Sequence, residues 1–147
     1  MFRFSQAAIV FTLALTAGTL ARADDIATRK QAALADIKAA FGGVPTFVTQ
    51  LPDATVASYW QLEKDLELSE TTALPPKTKA LIAIAVAAQI PCEYCIAADT
   101  ATAKRLGASD AEIGEAVSMA ALTRYSSTVL HGLQVDLPTF KAEMGVK

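Results

Sequence analysis

Apolar residues recur along this chain at helical spacing. From Ile26 to Phe41 the pattern places Leu34, Ile37 and Phe41 on one face, and the segment stops at Gly42-Gly43 with Pro45 just beyond. A short turn of helix follows Pro45. Pro52 takes a first helical position, after which Val56, Tyr59, Trp60, Glu63 and Leu66 keep the period to about Ser69. Trp60 reads as core, and Glu63 and Lys64 as an exposed helix surface. Residues 69–74 are polar; Pro75-Pro76 then opens an element whose inward stripe is Leu81, Ile84, Ala85 and Ala88, and Pro91 breaks it. Cys92 to Leu106 forms the next helix, with Gly107 as its stop signal. Ser109-Asp110-Ala111-Glu112 is a capping box, in which serine and glutamate each satisfy a free backbone amide of the other. Ile113, Val117, Ala120, Ala121 and Arg124 continue that helix towards His131-Gly132, and Pro138 begins a last short helix ending near Gly145. The pattern predicts an all-α protein of about six helices and no sheet.

Composition narrows the picture. The chain has 147 residues, enough for one domain with its own core, and 30 of them are alanine, the best helix former. Apolar residues make up 52% and charged residues 19%, which excludes a disordered tail. The start reads as an export leader: Arg3, an apolar run from Ala7 to Leu15, and then Ala21-Arg22-Ala23, the small-x-small pattern of a signal-peptidase site. That run is well short of the ~20 residues a membrane span needs. We therefore expect a signal peptide over 1–23, a folded domain over 24–147, and a periplasmic or secreted product. Cleavage removes Arg3 and Arg22 and no acid, leaving 11 basic against 15 acidic residues and a net charge of −4. Such a surface argues against a nucleic-acid partner. Leu81 to Ile90 is also too short to cross a bilayer, so no membrane span is expected after cleavage.

The one constellation that carries chemistry by its spacing is Cys92-Glu93-Tyr94-Cys95, which holds the only two cysteines. With Pro91 at or just before a helix start, both sulfurs fall in the first turn. Unpaired backbone amides and the positive end of the helix dipole there stabilise a thiolate, lowering its pKa from ~8.5. Neighbours at i and i+3 can also close a disulfide, so the pair can cycle between dithiol and disulfide. Glu93 opposes a second negative charge nearby. Other readings stay open. A metal site needs about four ligands, and two cysteines with one distant histidine fall short, so no metal and no cofactor are expected. A purely structural disulfide suits an exported protein, although so short a loop constrains the unfolded chain little. Two inert buried thiols are a third possibility.

From Leu74 to Leu137 the sequence resembles the carboxymuconolactone decarboxylase and alkylhydroperoxidase D-like (AhpD-like) family. The resemblance rests on Leu74-Pro75-Pro76-Lys77-Thr78-Lys79, Cys92-Glu93-Tyr94-Cys95-Ile96-Ala97-Ala98 and Gly107-Ala108-Ser109-Asp110-Ala111-Glu112-Ile113. Phe41-Gly42-Gly43-Val44-Pro45 and Leu51-Pro52-Asp53 are similar to the upstream part of some members. It implies an AhpD-like helical bundle, a helical hairpin bearing the redox pair, and homo-oligomers, commonly trimers or hexamers. The peroxidase-like branch carries Cys-x-x-Cys and the lactone decarboxylase branch generally lacks it, so the chain resembles the redox branch.

It also departs from that branch. Peroxidase-like members usually place a glutamate twelve residues before the first cysteine, where this chain has Ala80. Many place a histidine four residues after the second cysteine, here Asp99, and some have one directly before it, here Tyr94. Asp99 shares a helical face with Cys95 and could accept a proton, but a carboxylate with a pKa near ~4 is poorly matched to a thiol. It reads equally well as a solvated side chain. His131, the only histidine, is the candidate replacement base; it lies 36 residues after Cys95, so only packing or a neighbouring subunit could bring it there. Otherwise it is a helix-end residue suited to the C-terminal dipole. Tyr94, Trp60 and Tyr125 are candidate pocket walls or core.

Two functions follow. The first is an exported thiol–disulfide oxidoreductase with peroxidase-like activity, taking a peroxide or disulfide substrate and a thiol reductant of unknown identity. Its peroxide turnover should be weak given the reduced relay. Geometry should leave Cys92 more accessible than Cys95; the helix start favours Cys92 as attacker, whereas in relatives the residue matching Cys95 is the activated one. The second is a non-catalytic oligomeric or ligand-binding protein with a permanent disulfide. A lactone decarboxylase ranks third.

Overall fold

The computed structural model describes residues 7–146, with side chains from Arg22 onward. Among the described residues there are seven α-helices, one π-helical segment and no strand. They form two compact units, one ending at Leu68 and the other beginning at Ser69, where the polar stretch 69–74 starts.

In the first unit, α1 (Ala7–Phe41), α2 (Thr46–Gln50) and α3 (Asp53–Leu62) build a core of Ala33, Ile37, Val48, Val56 and Trp60. Helix α1 stops where predicted because Gly42 adopts φ +77°, a conformation open to glycine but strained for other residues, and its amide closes back on the Lys38 carbonyl. Trp60 is 4% exposed, as expected for core, and Phe41 meets its ring edge-on at 5.7 Å between centroids. The reading of Glu63 and Lys64 as an exposed surface is corrected. Both are half-buried. Lys64 lies over the Trp60 ring and its Nζ reaches Asp36 Oδ2 at 2.6 Å, while Trp60 Nε1–H donates to the same carboxylate at 2.8 Å. The lysine bond, and then the indole bond, hold the Asp36 carboxyl below its ordinary range. After Leu62 the helix widens to a π turn over Glu63–Glu67, with Leu68 N–H donating to the Glu63 carbonyl at 2.9 Å. Helical periodicity in the sequence does not announce this widening. The expected leader is crossed by α1, which runs unbroken through Ala21-Arg22-Ala23; residues 1–6, with Arg3, lie outside the described residues.

In the second unit, α4 (Pro76–Gln89) is the hub, with α5 (Glu93–Arg105) and α6 (Asp110–Gly132) packed against it; α7 (Leu137–Glu143) follows. Its core is Ala80, Ile84, Ala103 and Ala108, with Leu81 and Ile113 packed alongside. The predicted stripe on α4 is corrected: the buried positions are Ala80, Ile84 and Ala87, whereas Leu81, Ala85 and Ala88 are half-buried. Ile84 lies in the buried arc as expected and Leu81 packs at its edge, while the rest of the arc turns towards Ala80 and Ala87. Because α4 is apolar over most of its circumference and covered by two helices, its periodicity could not select the inward arc. The predicted capping box is present: Glu112 N–H donates to Ser109 Oγ at 3.2 Å and Ser109 N–H to Glu112 Oε2 at 2.8 Å. Lys77 adds a bond to Glu112 Oε1 at 2.7 Å, tying the first turn of α4 to that of α6.

Candidate redox site

The site lies where α4 turns into α5. Helix α4 ends at Gln89, Ile90 and Pro91 make the turn, and Cys92 is the N-cap of α5. Proline is suited to this break because it has no amide proton to continue the preceding helix. The turn is closed by two bonds back to α4, from Ile90 N–H to the Val86 carbonyl at 3.1 Å and from Cys92 N–H to the Ala87 carbonyl at 3.0 Å. Cys92 has extended backbone geometry, which places its side chain over the end of α5, and its sulfur accepts from Cys95 N–H at 3.2 Å. Cys92 and Cys95 are disulfide-bonded, with Cα atoms 5.3 Å apart.

Both sulfurs thus occupy the first turn of one helix, as the spacing predicts. The contact from Cys95 N–H to Cys92 Sγ is the kind that favours a thiolate once the bond is reduced. Cys92 and Cys95 are both half-buried. Glu93 occupies the first helical position, a favourable place for a carboxylate in any helix. Tyr94 stands in solvent at 88% exposure, and Asp99 is half-buried on α5 one turn beyond Cys95. Ala80, where the relatives' glutamate would stand, is 1% exposed within the core and supplies no proton.

His131 sits in the last turn of α6. Its Nδ1 is 2.9 Å from the Ser127 carbonyl, an acceptor only, so in the neutral ring the proton is on Nδ1 and Nε2 carries the lone pair. It lies two helical turns beyond Arg124, whose side chain reaches the end of α4. Trp60 is spent in the core of the first unit, and Tyr125 is 67% exposed on α6. Among the described residues no group of three or more histidine, cysteine or acidic side chains could hold a metal ion, and no helix is long and apolar enough to cross a membrane.

Sequence reasoning missed the pairing of Gln89 with Arg124. Gln89 Nε2–H donates to the Ala120 carbonyl at 2.5 Å, which leaves its Oε1 to accept from Arg124 Nε at 2.7 Å. Arg124 Nη2 also reaches the Gln89 backbone carbonyl at 3.4 Å. The available signal was Gln89 itself, a polar residue closing an otherwise apolar run from Leu81 to Ile90.

The fold is similar to that of the alkylhydroperoxidase AhpD core from Rhodospirillum rubrum, with a TM-score of 0.66 over 75% of this chain and 83% of that one, at 24% identity. No curated protein matches the chain. The carboxymuconolactone decarboxylase family model matches residues 54–136, a stretch that contains the cysteine pair, the capping box and the whole of α4 to α6. With more than half of its length matching that model, and an AhpD-like helical fold, the chain belongs to the carboxymuconolactone decarboxylase family.

Proposed function

We propose that the chain is a thiol–disulfide oxidoreductase of the alkylhydroperoxidase type, and that Cys92 and Cys95 are its catalytic pair. The observation that carries this reading is the disulfide in the first turn of α5, with Cys92 Sγ accepting from the Cys95 amide. In relatives, a glutamate and histidines activate the second cysteine. Here those positions hold Ala80, Asp99 and Tyr94, which leaves the helix terminus as the activating element, and that element favours Cys92.

In the reaction, the Cys92 thiolate attacks the terminal oxygen of a hydroperoxide. The O–O bond breaks, the alkoxide takes a proton to leave as an alcohol, and Cys92 becomes a sulfenic acid. Cys95 then attacks that sulfur and expels water, closing the disulfide. The peroxide gains two electrons and the two thiols lose them. An external dithiol restores the pair by exchange through a mixed disulfide. With a disulfide as substrate, the same thiolate attacks sulfur instead of oxygen. With alanine and aspartate where relatives carry the relay glutamate and histidine, peroxide turnover is slow and thiol exchange is the faster activity.

The small-x-small motif before Asp24 supports export to an oxidising compartment, where such a pair has work to do. We also read the chain as a homo-oligomer, a trimer or hexamer as its relatives suggest. Support comes from exposed apolar residues along α6 and just past its end, among them Met119, Leu122, Tyr125 and Leu133, which a second copy would cover.

The test is a redox titration of the protein with thiol counting, in wild type, Cys92→Ser and Cys95→Ser. A couple more oxidising than about −300 mV, exchanging readily with small dithiols, is expected. Cys92→Ser should abolish reaction with a disulfide probe, and Cys95→Ser should trap a mixed disulfide on Cys92. A couple well below that potential, inert to exchange, would favour the permanent structural disulfide.

A further inference from the structure

The turn that carries Cys92 brings two opposite helix ends together. The N-terminus of α5 favours negative charge on the sulfur, while the last carbonyls of α4, only a few residues earlier, disfavour it. Helix α4 has no basic residue in its own last turn to offset those carbonyls. Arg124, from α6, takes that place. Its Nη2 reaches the terminal Gln89 carbonyl at 3.4 Å, and its Nε is fixed by Gln89 Oε1 at 2.7 Å. The amide of Gln89 is in turn oriented by the Ala120 carbonyl at 2.5 Å, so the fork is held from both sides.

We infer that Arg124 is a positioning residue for the redox pair: it fixes the end of α4 from which Cys92 hangs and offsets the negative helix end that would otherwise oppose a Cys92 thiolate. The inference rests on the redox reading above and deepens it. On α5 the charged residues nearest the pair in sequence are Glu93 and Asp99, both unfavourable to a thiolate, whereas Arg124 from α6 brings a favourable charge to the end of α4. Helix α4 offers Gln89, which is neutral. Arginine is suited to the task because its planar fork engages a side chain and a carbonyl together, and it stays charged at every working pH.

The experiment is a thiolate titration of the fully reduced protein by ultraviolet absorbance, in wild type, Arg124→Gln and Arg124→Lys, each checked for helix content. Arg124→Gln should raise the lower thiol pKa by about half a pH unit, roughly a threefold loss of thiolate near neutrality, and slow alkylation of Cys92 in proportion. Arg124→Lys keeps the charge without the fork and should recover part of the shift. Unchanged thiolate titration in a normally helical Arg124→Gln would overturn the inference. The titration needs no turnover, so a protein that fails to consume peroxide sinks the redox reading while leaving the role of Arg124 separately readable.

Discussion

Single residues set the chemistry available to the pair. At Cys92 the extended backbone of an N-cap turns a side chain that would otherwise lie on the helix surface over its end. A second residue with a measurable signature is Glu112. The Lys77 bond, followed by the amide and hydroxyl of Ser109, lowers its carboxyl from 4.5 to about 2. A carboxyl whose folded pKa is depressed stabilises the fold fully above its unfolded pKa and loses that contribution as the pH falls through the folded one. Stability should therefore fall as the pH drops from about 4.5 to about 2, and Glu112→Gln should flatten that limb in denaturant titrations at each pH. Much at this scale was legible in the sequence. The cysteine spacing, the serine–glutamate box and the core role of Trp60 each depend on neighbours within a few positions or on one dominant side chain. The partners of Lys64 and Arg124 were not legible, because each bonds a residue more than twenty positions away.

At the scale of elements, helix ends build the candidate site. Helix α5 starts at the redox pair, α4 ends three residues before it, and α6 starts at the box that bonds back to Lys77. Replacing Ser109 with alanine should cost about 1 kcal/mol, and Ser109→Asp should recover most of it in the same equilibrium unfolding measurement. Boundaries were readable because proline, glycine and cap residues mark them locally, as at Gly42 and Pro76. The inward arc of α4 was not, since a helix packed on two sides and rich in alanine carries little contrast between its faces. The π turn after Leu62 was also hidden, because one extra residue in a turn leaves no mark in a pattern this short.

At the scale of the molecule, the all-α architecture and the family follow from motifs that cover α4 to α6, and the same stretch contains the whole site. The long second half of α6 leaves apolar side chains in solvent, so Leu122→Glu should reduce the mass measured by light scattering to that of one chain if copies associate there. The central claim is that two sulfurs in the first turn of α5 exchange a bond for the oxygen of a peroxide or the sulfur of a partner. The direct measurement mixes the fully reduced protein with limiting hydroperoxide and follows free thiols and intact mass together. The account predicts that two thiols disappear for each hydroperoxide consumed, with the mass of about two hydrogen atoms lost per chain and recovery on adding a dithiol. Persistent free thiols, or a disulfide that no dithiol reopens, would contradict it.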